Sequence, residues 1–181
     1  MNPLACDRKH DLDHGPSHPL SFPVAWVLAM MEIHHEAPMS RSQLKDEVFM
    51  NMALELSRLG TCCRLKVGAV LLRADGGIAA AGFNGALPGM AHCTPATCQP
   101  GQRCLHTSHA EENALGFCDG SVATAYVTHE PCLTCCRALV RRGVRRVVFR
   151  HPYTSIAEQE RAERQAILDH FNVRWEQLSG S

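Results

Sequence analysis

Two things are scarce in this chain of 181 residues: aromatic side chains, at 6%, and any surplus of charge. Lysine plus arginine number 18 and so do aspartate plus glutamate, which leaves no overall field to draw the chain onto nucleic acid or a lipid surface. So few aromatics also argue against a platform on which bases stack. A long hydrophobic run is missing as well. The longest near the N-terminus, FPVAWVLAMM at residues 22–31, is too short to cross a bilayer and is followed by EIHHE. No basic segment leads directly into it and no small-residue cleavage site follows, so it does not read as a secretory signal. The expectation is a cytoplasmic protein with no membrane partner, whose thiols stay reduced. No internal repeat is visible either.

Against those absences, ten cysteines stand out. In a reducing compartment disulfides do not account for them, and metal binding is the leading alternative.

The length suits one domain with a real core. Residues 1–39 differ from the rest: MNPLACDRKHDLDHGPSHPLSFP is rich in Pro, His and Asp and has no sustained periodicity. They read as a loosely ordered extension, its histidines explained by an exposed linker as well as by weak metal binding. Residues 40–181 form the domain.

SRSQLKDEVFMNMALELSRLG opens it as a helix. Ser40 and Gln43 fit a capping box, Leu44, Val48, Met52 and Leu56 make one apolar stripe, and Gly60 can end it. KVGAVLLRADGGIAAAGFN reads as a β-hairpin around Asp75-Gly76-Gly77. After a loop rich in Gly, Pro and Cys, a helix starts near Ser108 and ATAYVTH is a strand. CLTCCRALVRRG is a helix closed by Gly143, VRRVVFR a strand, SIAEQERAERQAILDHF an amphipathic helix, and NVRWEQL a further short strand. The order α-β-β-α-β-α-β-α, with that last strand, predicts a sheet covered on both faces and parallel where helices make the crossovers.

Chemistry concentrates at two helix starts. Cys132 and Cys135, two residues apart on a first helical turn, can both reach one ion, and Pro131 suits the position before them. The positive helix end favours thiolates there. Catalytic zinc takes three protein ligands and keeps a fourth position for water. His109 supplies the third, and Glu111 is placed to move protons without binding the metal. Ser108 and Glu111 also match a capping box, in which Glu111 only satisfies the helix start. CxxC alone is equally ambiguous. The two halves together, H-x-E followed by P-C-x-x-C, are the known signature of zinc nucleobase deaminases.

On TCCRLKVGAVLL, GFNGALPGMAHC, HAEENAL, YVTHEPCLTCC and GVRRVVF, the stretch from about Ser42 to about Tyr153 resembles the cytidine deaminase-like superfamily. Within it the chain is similar to the deoxycytidylate (dCMP) deaminases, nearest their bacterial late-competence branch. The resemblance implies a three-layer α/β/α sandwich on a central mixed five-stranded sheet, and a homo-oligomer. It implies zinc held by His109, Cys132 and Cys135, and hydrolysis of dCMP to dUMP with Glu111 protonating ring N3 and then the departing ammonia. A backbone N–H near Cys132 would help hold the ring.

GFNG resembles the family's substrate-side loop, which makes Asn84 a candidate sugar or base contact; a turn residue in the left-handed region is the alternative. Arg64 and Lys66 are candidate phosphate donors, with solvated surface charge as the bland reading, and Tyr153 is placed to cover the base or bond the phosphate. Cys62, Cys93, Cys98 and Cys104 lie in loops where some family members carry a second, structural zinc, with His92 and His106 as substitute ligands; buried free thiols are the alternative. The interval between HAEENAL and PCLTC is shorter than the family pattern. That segment lies at a subunit contact and near the effector site in relatives, so the resemblance does not extend to dCTP and dTTP control or to the usual hexamer.

Relatives of the same superfamily act on cytidine, guanine, natural-product pyrimidines or tRNA adenosine. Neutral charge speaks against nucleic acid as a partner. The one basic concentration, Arg141, Arg142, Arg145 and Arg146, reads as a solvated helix end. A purely structural zinc module is a further alternative, but it has no use for Glu111.

Overall fold

The computed structural model describes residues 39–98, 104–154 and 156–179. Apart from Met39, the expected extension lies outside the described residues. Helix α1 spans Arg41–Ser57, strands β1 and β2 Gly68–Leu72 and Ile78–Phe83, and α2 Ala110–Gly116. Then come β3 (Thr124–His129), α3 (Leu133–Arg141), β4 (Arg146–His151), α4 (Glu158–His170) and β5 (Arg174–Gln177).

The five strands form one mixed sheet in the order β2-β1-β3-β4-β5. β1 runs antiparallel to both neighbours, whereas β3, β4 and β5 are parallel and are joined through α3 and α4. Alternation along each strand divides the core in two. Val70, Leu72, Tyr126 and Val148 face α1 with Met50 and Ala53. Ala69, Leu71, Ala125, Val127 and Val147 pack against Ala110 and Ala114 of α2, Cys136 and Leu139 of α3 and Leu168 of α4. The result is the three-layer α/β/α sandwich.

Helix α1 begins as its sequence implies: Ser40 Oγ accepts from Gln43 N, and Gln43 Oε1 accepts from Ser40 N at 2.8 Å. Its buried face differs from the expected one. Leu44 and Val48 are exposed, and the helix packs through Met50 and Ala53 with Phe49 and Leu54. The i, i+4 stripe turns outward at Leu44 and Val48, while Met52 and Leu56 pack half-buried against the core. Asp46 makes the other stripe stable, because its carboxylate takes two bonds from Arg146 and one from Tyr126 at 2.6–2.7 Å beneath the helix. Gly60 does not end the helix, which stops at Ser57; it lies where a side chain would collide with Asn84 Oδ1.

The arginine cluster also differs from the expected solvated helix end. Arg142 donates to the carbonyls of Leu115, Cys118 and Gly120 and so closes the end of α2. Arg146 is bound to Asp46 and Glu176. Two of the four are thus structural anchors rather than solvated charge. Gly143 does close α3, with φ +94°.

Two features set the site. Gly82 lets α2 press against β2, since a Cβ there would meet Ala114 N at 2.6 Å and Ala110 O at 2.7 Å. And the carboxyl ends of β3 and β4 lie side by side, His129 opposite His151, with β3 leading within three residues into the start of α3. Sites in α/β sheets form at such strand ends.

Candidate metal and catalytic site

His109 is the N-cap of α2 and Cys132 the N-cap of α3. Around His109 the chain is fixed from both sides. Ser108 and Gly85 exchange backbone hydrogen bonds of 2.9 and 3.2 Å, and Asn113 Nδ2 donates to Phe83 O at 2.7 Å. At the other helix, Cys136 N donates to Cys132 O at 2.8 Å, the first bond of α3, which puts Cys132 and Cys135 on one turn.

The two helix starts converge. His109 Nδ1 lies 3.6 Å from Cys132 Sγ and 3.3 Å from Cys135 Sγ, and the three donor atoms are all within 4.8 Å of one another. Zinc–nitrogen and zinc–sulfur bonds of about 2.0 and 2.3 Å at tetrahedral angles require N···S separations of about 3.6 Å. The donor set and its spacing therefore fit zinc with one position left for water.

Electrostatics point the same way. The hydrogen bond from Cys135 holds the Cys132 thiol down to about 3, against the opposing effect of burial. Cys135 is pushed up, first by that bond and then by burial. His109 is raised by its bond to Cys132, although burial acts against it. The Cys132 thiol thus ionises most readily of the three, and a metal entering the trio displaces the remaining protons.

Glu111 is 3% exposed, and burial pushes its carboxyl up to about 7, with the charges of His109 and Cys132 acting on it in opposite directions. The capping role is taken by its neighbour: Glu112 Oε2 accepts from His109 N at 2.9 Å. The capping box is shifted by one residue from the Ser108–Glu111 alternative, so Glu111 is free of it. A buried carboxyl poised near neutrality beside a metal-fitting trio is equipped to carry protons.

Cys62, Cys93, Cys98 and Cys104 form the other group, their sulfurs also within 4.8 Å of one another. All lie on loop segments and pack as a separate small cluster. Burial raises the Cys93 thiol, but bonds from Cys63 N at 3.3 Å and from Thr107 outweigh it and bring it down to about 7. Burial, reinforced by Cys104, pushes Cys98 up to about 12. His92 and His106 are exposed and stand outside the cluster. All nine cysteines among the described residues are free thiols.

Asn84 is buried and not left-handed: its Oδ1 accepts from Val67 N at 2.8 Å and its Nδ2 donates to Leu65 O at 2.7 Å. It organises the loop that carries Arg64 and Lys66. Lys66 Nζ donates to Arg58 O at 3.2 Å, and the charge of Arg64 acts on Cys98. Tyr153 is 38% exposed, and its backbone N–H donates to Glu130 Oε2 at 3.0 Å.

That last bond belongs to a group the residue pattern did not single out. Glu130, Arg164 and Trp175 meet behind the Cys132 turn, with Arg164 Nη2 on Glu130 Oε1 at 2.5 Å and Trp175 Nε1 on the same oxygen at 3.0 Å. Glu130 beside Pro131 was a visible signal. Arg164 was not, since it sits in a run of charged residues typical of an exposed helix face.

Residues 43–151 match the family model of the cytidine and deoxycytidylate deaminase zinc-binding region. The chain belongs to that family. It is 36% identical over 116 residues to ComE operon protein 2 of Bacillus subtilis, covering 60% of each protein. It is 38% identical over 122 residues to the deoxycytidylate deaminase of Mycobacterium phage D29, covering 58% of this chain and 92% of that one. Among solved structures, the dCMP deaminase of cyanophage S-TIM5 in complex with dCMP and dUMP superposes with a TM-score of 0.62 at 27% identity, over 77% of this chain and 99% of that chain. The chain thus spans 60% of the Bacillus protein's length but nearly the whole of both phage enzymes. No helix among the described residues is long and apolar enough to cross a membrane.

Proposed function

We propose that residues 40–181 form a zinc-dependent deaminase that hydrolyses dCMP to dUMP and ammonia. The observation that carries this reading is the juxtaposition of His109, Cys132 and Cys135 at zinc-ligand spacing with Glu111, a buried carboxyl that is not needed as a ligand. The relatives named for deoxycytidylate deamination support the choice of nucleotide.

In this reading His109 Nδ1 and the sulfurs of Cys132 and Cys135 hold one zinc, which when bound lowers the pKa of water and so supplies a nucleophile at neutral pH. Glu111 does the proton work. It accepts a proton from the attacking water, passes it to N3 of the cytosine ring, and serves the departing amine in the same way, so C4 exchanges its amino group for oxygen. Burial keeps Glu111 near 7, where it can both take and give a proton at neutral pH. Arg64, Lys66 and Tyr153 are the candidate phosphate and base contacts, and Asn84, a candidate sugar or base contact, acts through the loop that its amide holds in place. Cys62, Cys93, Cys98 and Cys104 hold a second, structural zinc. The protein acts as a cytoplasmic homo-oligomer on a small-molecule nucleotide.

Ammonia release from dCMP, cytidine, dCTP and a tRNA anticodon stem tests this, with Glu111→Gln as control. The expected result is turnover of dCMP above the others and a loss of roughly a hundredfold to ten-thousandfold in Glu111→Gln, with zinc retained. Zinc-loaded protein that turns over none of the four overturns the proposal.

A further inference from the structure

The turn that carries Cys132 is held from behind by charged side chains that the proton chemistry does not use. Arg164 on α4 is 6% exposed, yet its guanidinium forks: Nη2 donates to Glu130 Oε1 and Nη1 to Pro131 O at 3.1 Å. Trp175 of β5 shares the Glu130 oxygen and lies under the guanidinium, 5.1 Å from ring centre to Cζ. The other oxygen, Oε2, holds the Tyr153 backbone N–H. The largely buried carboxylate of Glu130, two residues before Cys132, therefore ties its own turn to α4, β5 and the segment after β4.

A buried ion pair of this kind adds little net stability over an apolar pair of the same volume, so its presence calls for another use. The geometry supplies one. No peptide bond among the described residues is cis, and in a trans peptide the C=O and the following N–H point in opposite directions. By fixing the Pro131 carbonyl, Arg164 also fixes where the Cys132 N–H points and how the Cys132 side chain leaves the helix start.

We propose that Arg164 and Glu130 are positioning residues: they lock the Pro131–Cys132 turn in its metal-holding orientation and tie it to the Tyr153 segment as one rigid unit. This rests on the zinc-deaminase reading above. It assigns neither residue to the reacting atoms.

The test uses the zinc-loaded full chain and two readouts: zinc release into an excess of chromophoric chelator at 25 °C, and kcat and KM for dCMP. His109→Ala identifies the release phase that belongs to this site. Arg164→Lys keeps the charge but cannot supply both bonds of the fork, and Glu130→Gln keeps one amide oxygen as acceptor for Trp175 or Tyr153 but loses the ion pair and the second acceptor. Each is expected to release that zinc about tenfold or more faster and to lower kcat by about 10- to 100-fold, with KM within about threefold. Arg137→Met serves as control: it breaks the exposed Arg137–Glu163 bond of 3.1 Å between α3 and α4 without reaching the turn, and should change neither readout. If Arg164→Lys folds poorly, the doubly neutral Glu130→Gln/Arg164→Met variant, which leaves no unpaired charge buried, is read by the same criteria.

Wild-type release rates in the folded variants overturn the proposal, and so does an equal effect of Arg137→Met. A wild type that binds zinc but does not deaminate dCMP removes the functional reading alone, because the release measurement still decides the positioning role. A wild type that holds no zinc at the His109 site removes both.

Discussion

The two thiol groups of this chain are assembled in opposite ways. The His109 group takes its donors from two helix caps that the sheet and its crossovers already hold in place. The Cys62 group takes four sulfurs from loop segments with no regular structure, clustered apart from the main core. Three donors leave a coordination position open, whereas four close it. Among the described residues, only the first has a buried carboxyl that its helix cap does not use. On the proposed function, the first arrangement suits catalysis and the second suits a metal that holds a loop together.

The sharpest way to break that contrast is to remove one donor from each group. Cys132→Ser should abolish deamination and cost one zinc per chain while hardly moving the melting temperature, because secondary structure holds its surroundings. Cys98→Ser should do the reverse: a zinc lost, activity reduced only in part, and Tm lowered by roughly 4–8 °C, equivalent to about 2 kcal/mol for a chain of this size. Metal analysis, calorimetry and ammonia release on the same preparations check both. If Cys98→Ser leaves metal content and Tm unchanged, the loop thiols are merely buried.

A smaller effect concerns the metal itself. An excess of chelator should strip zinc in two phases, the open His109 site first and the closed tetrathiolate later, with activity lost in the fast phase. Zinc added back should restore that activity without refolding. A single phase would erase the distinction between the two groups.

How far these groups could be read from the chain depends on how local their causes are. The strands and their parallel pairing across the helix crossovers follow from hydrophobic period and crossover length, and the Cys132/Cys135 pair from a two-residue spacing on one helical turn. The convergence of His109 on that pair needs tertiary structure, and residue pattern supplied it only through a known signature. The stripe of α1 misled in its first half for a physical reason: Leu44 and Val48 continue the four-residue spacing of Met52 and Leu56, which do pack on the core, but Asp46 finds Arg146 and Tyr126 under the other face. Arg142 and Arg164 were illegible for the same reason. Each is one charge among several in its run, and only its long-range partner separates it from a solvated neighbour.

Asp46 also provides the smallest and most discriminating test, because it touches neither thiol group. Burial raises its carboxyl, but hydrogen bonds from Arg146 and Tyr126 and the Arg146 charge outweigh that and leave it below the ordinary 3.8. A carboxyl lowered on folding contributes stability that is complete above its unfolded value and is lost as pH falls through the folded value. Asp46→Asn should therefore lower Tm by roughly 2–4 °C at pH 7, about 1 kcal/mol, since Arg146 keeps Glu176 as a partner at 2.6 Å. That difference from wild type should persist to about pH 5 and close below about pH 4. Acid also displaces zinc from thiolates, but it does so in both proteins alike, so the difference isolates the carboxylate. At neutral pH Asp46→Asn should leave zinc content and both chelation phases as in wild type; faster loss from the His109 site alone would mean that its helix starts depend on the α1 face, and that the scaffold is less independent of the rest of the core than the contrast requires.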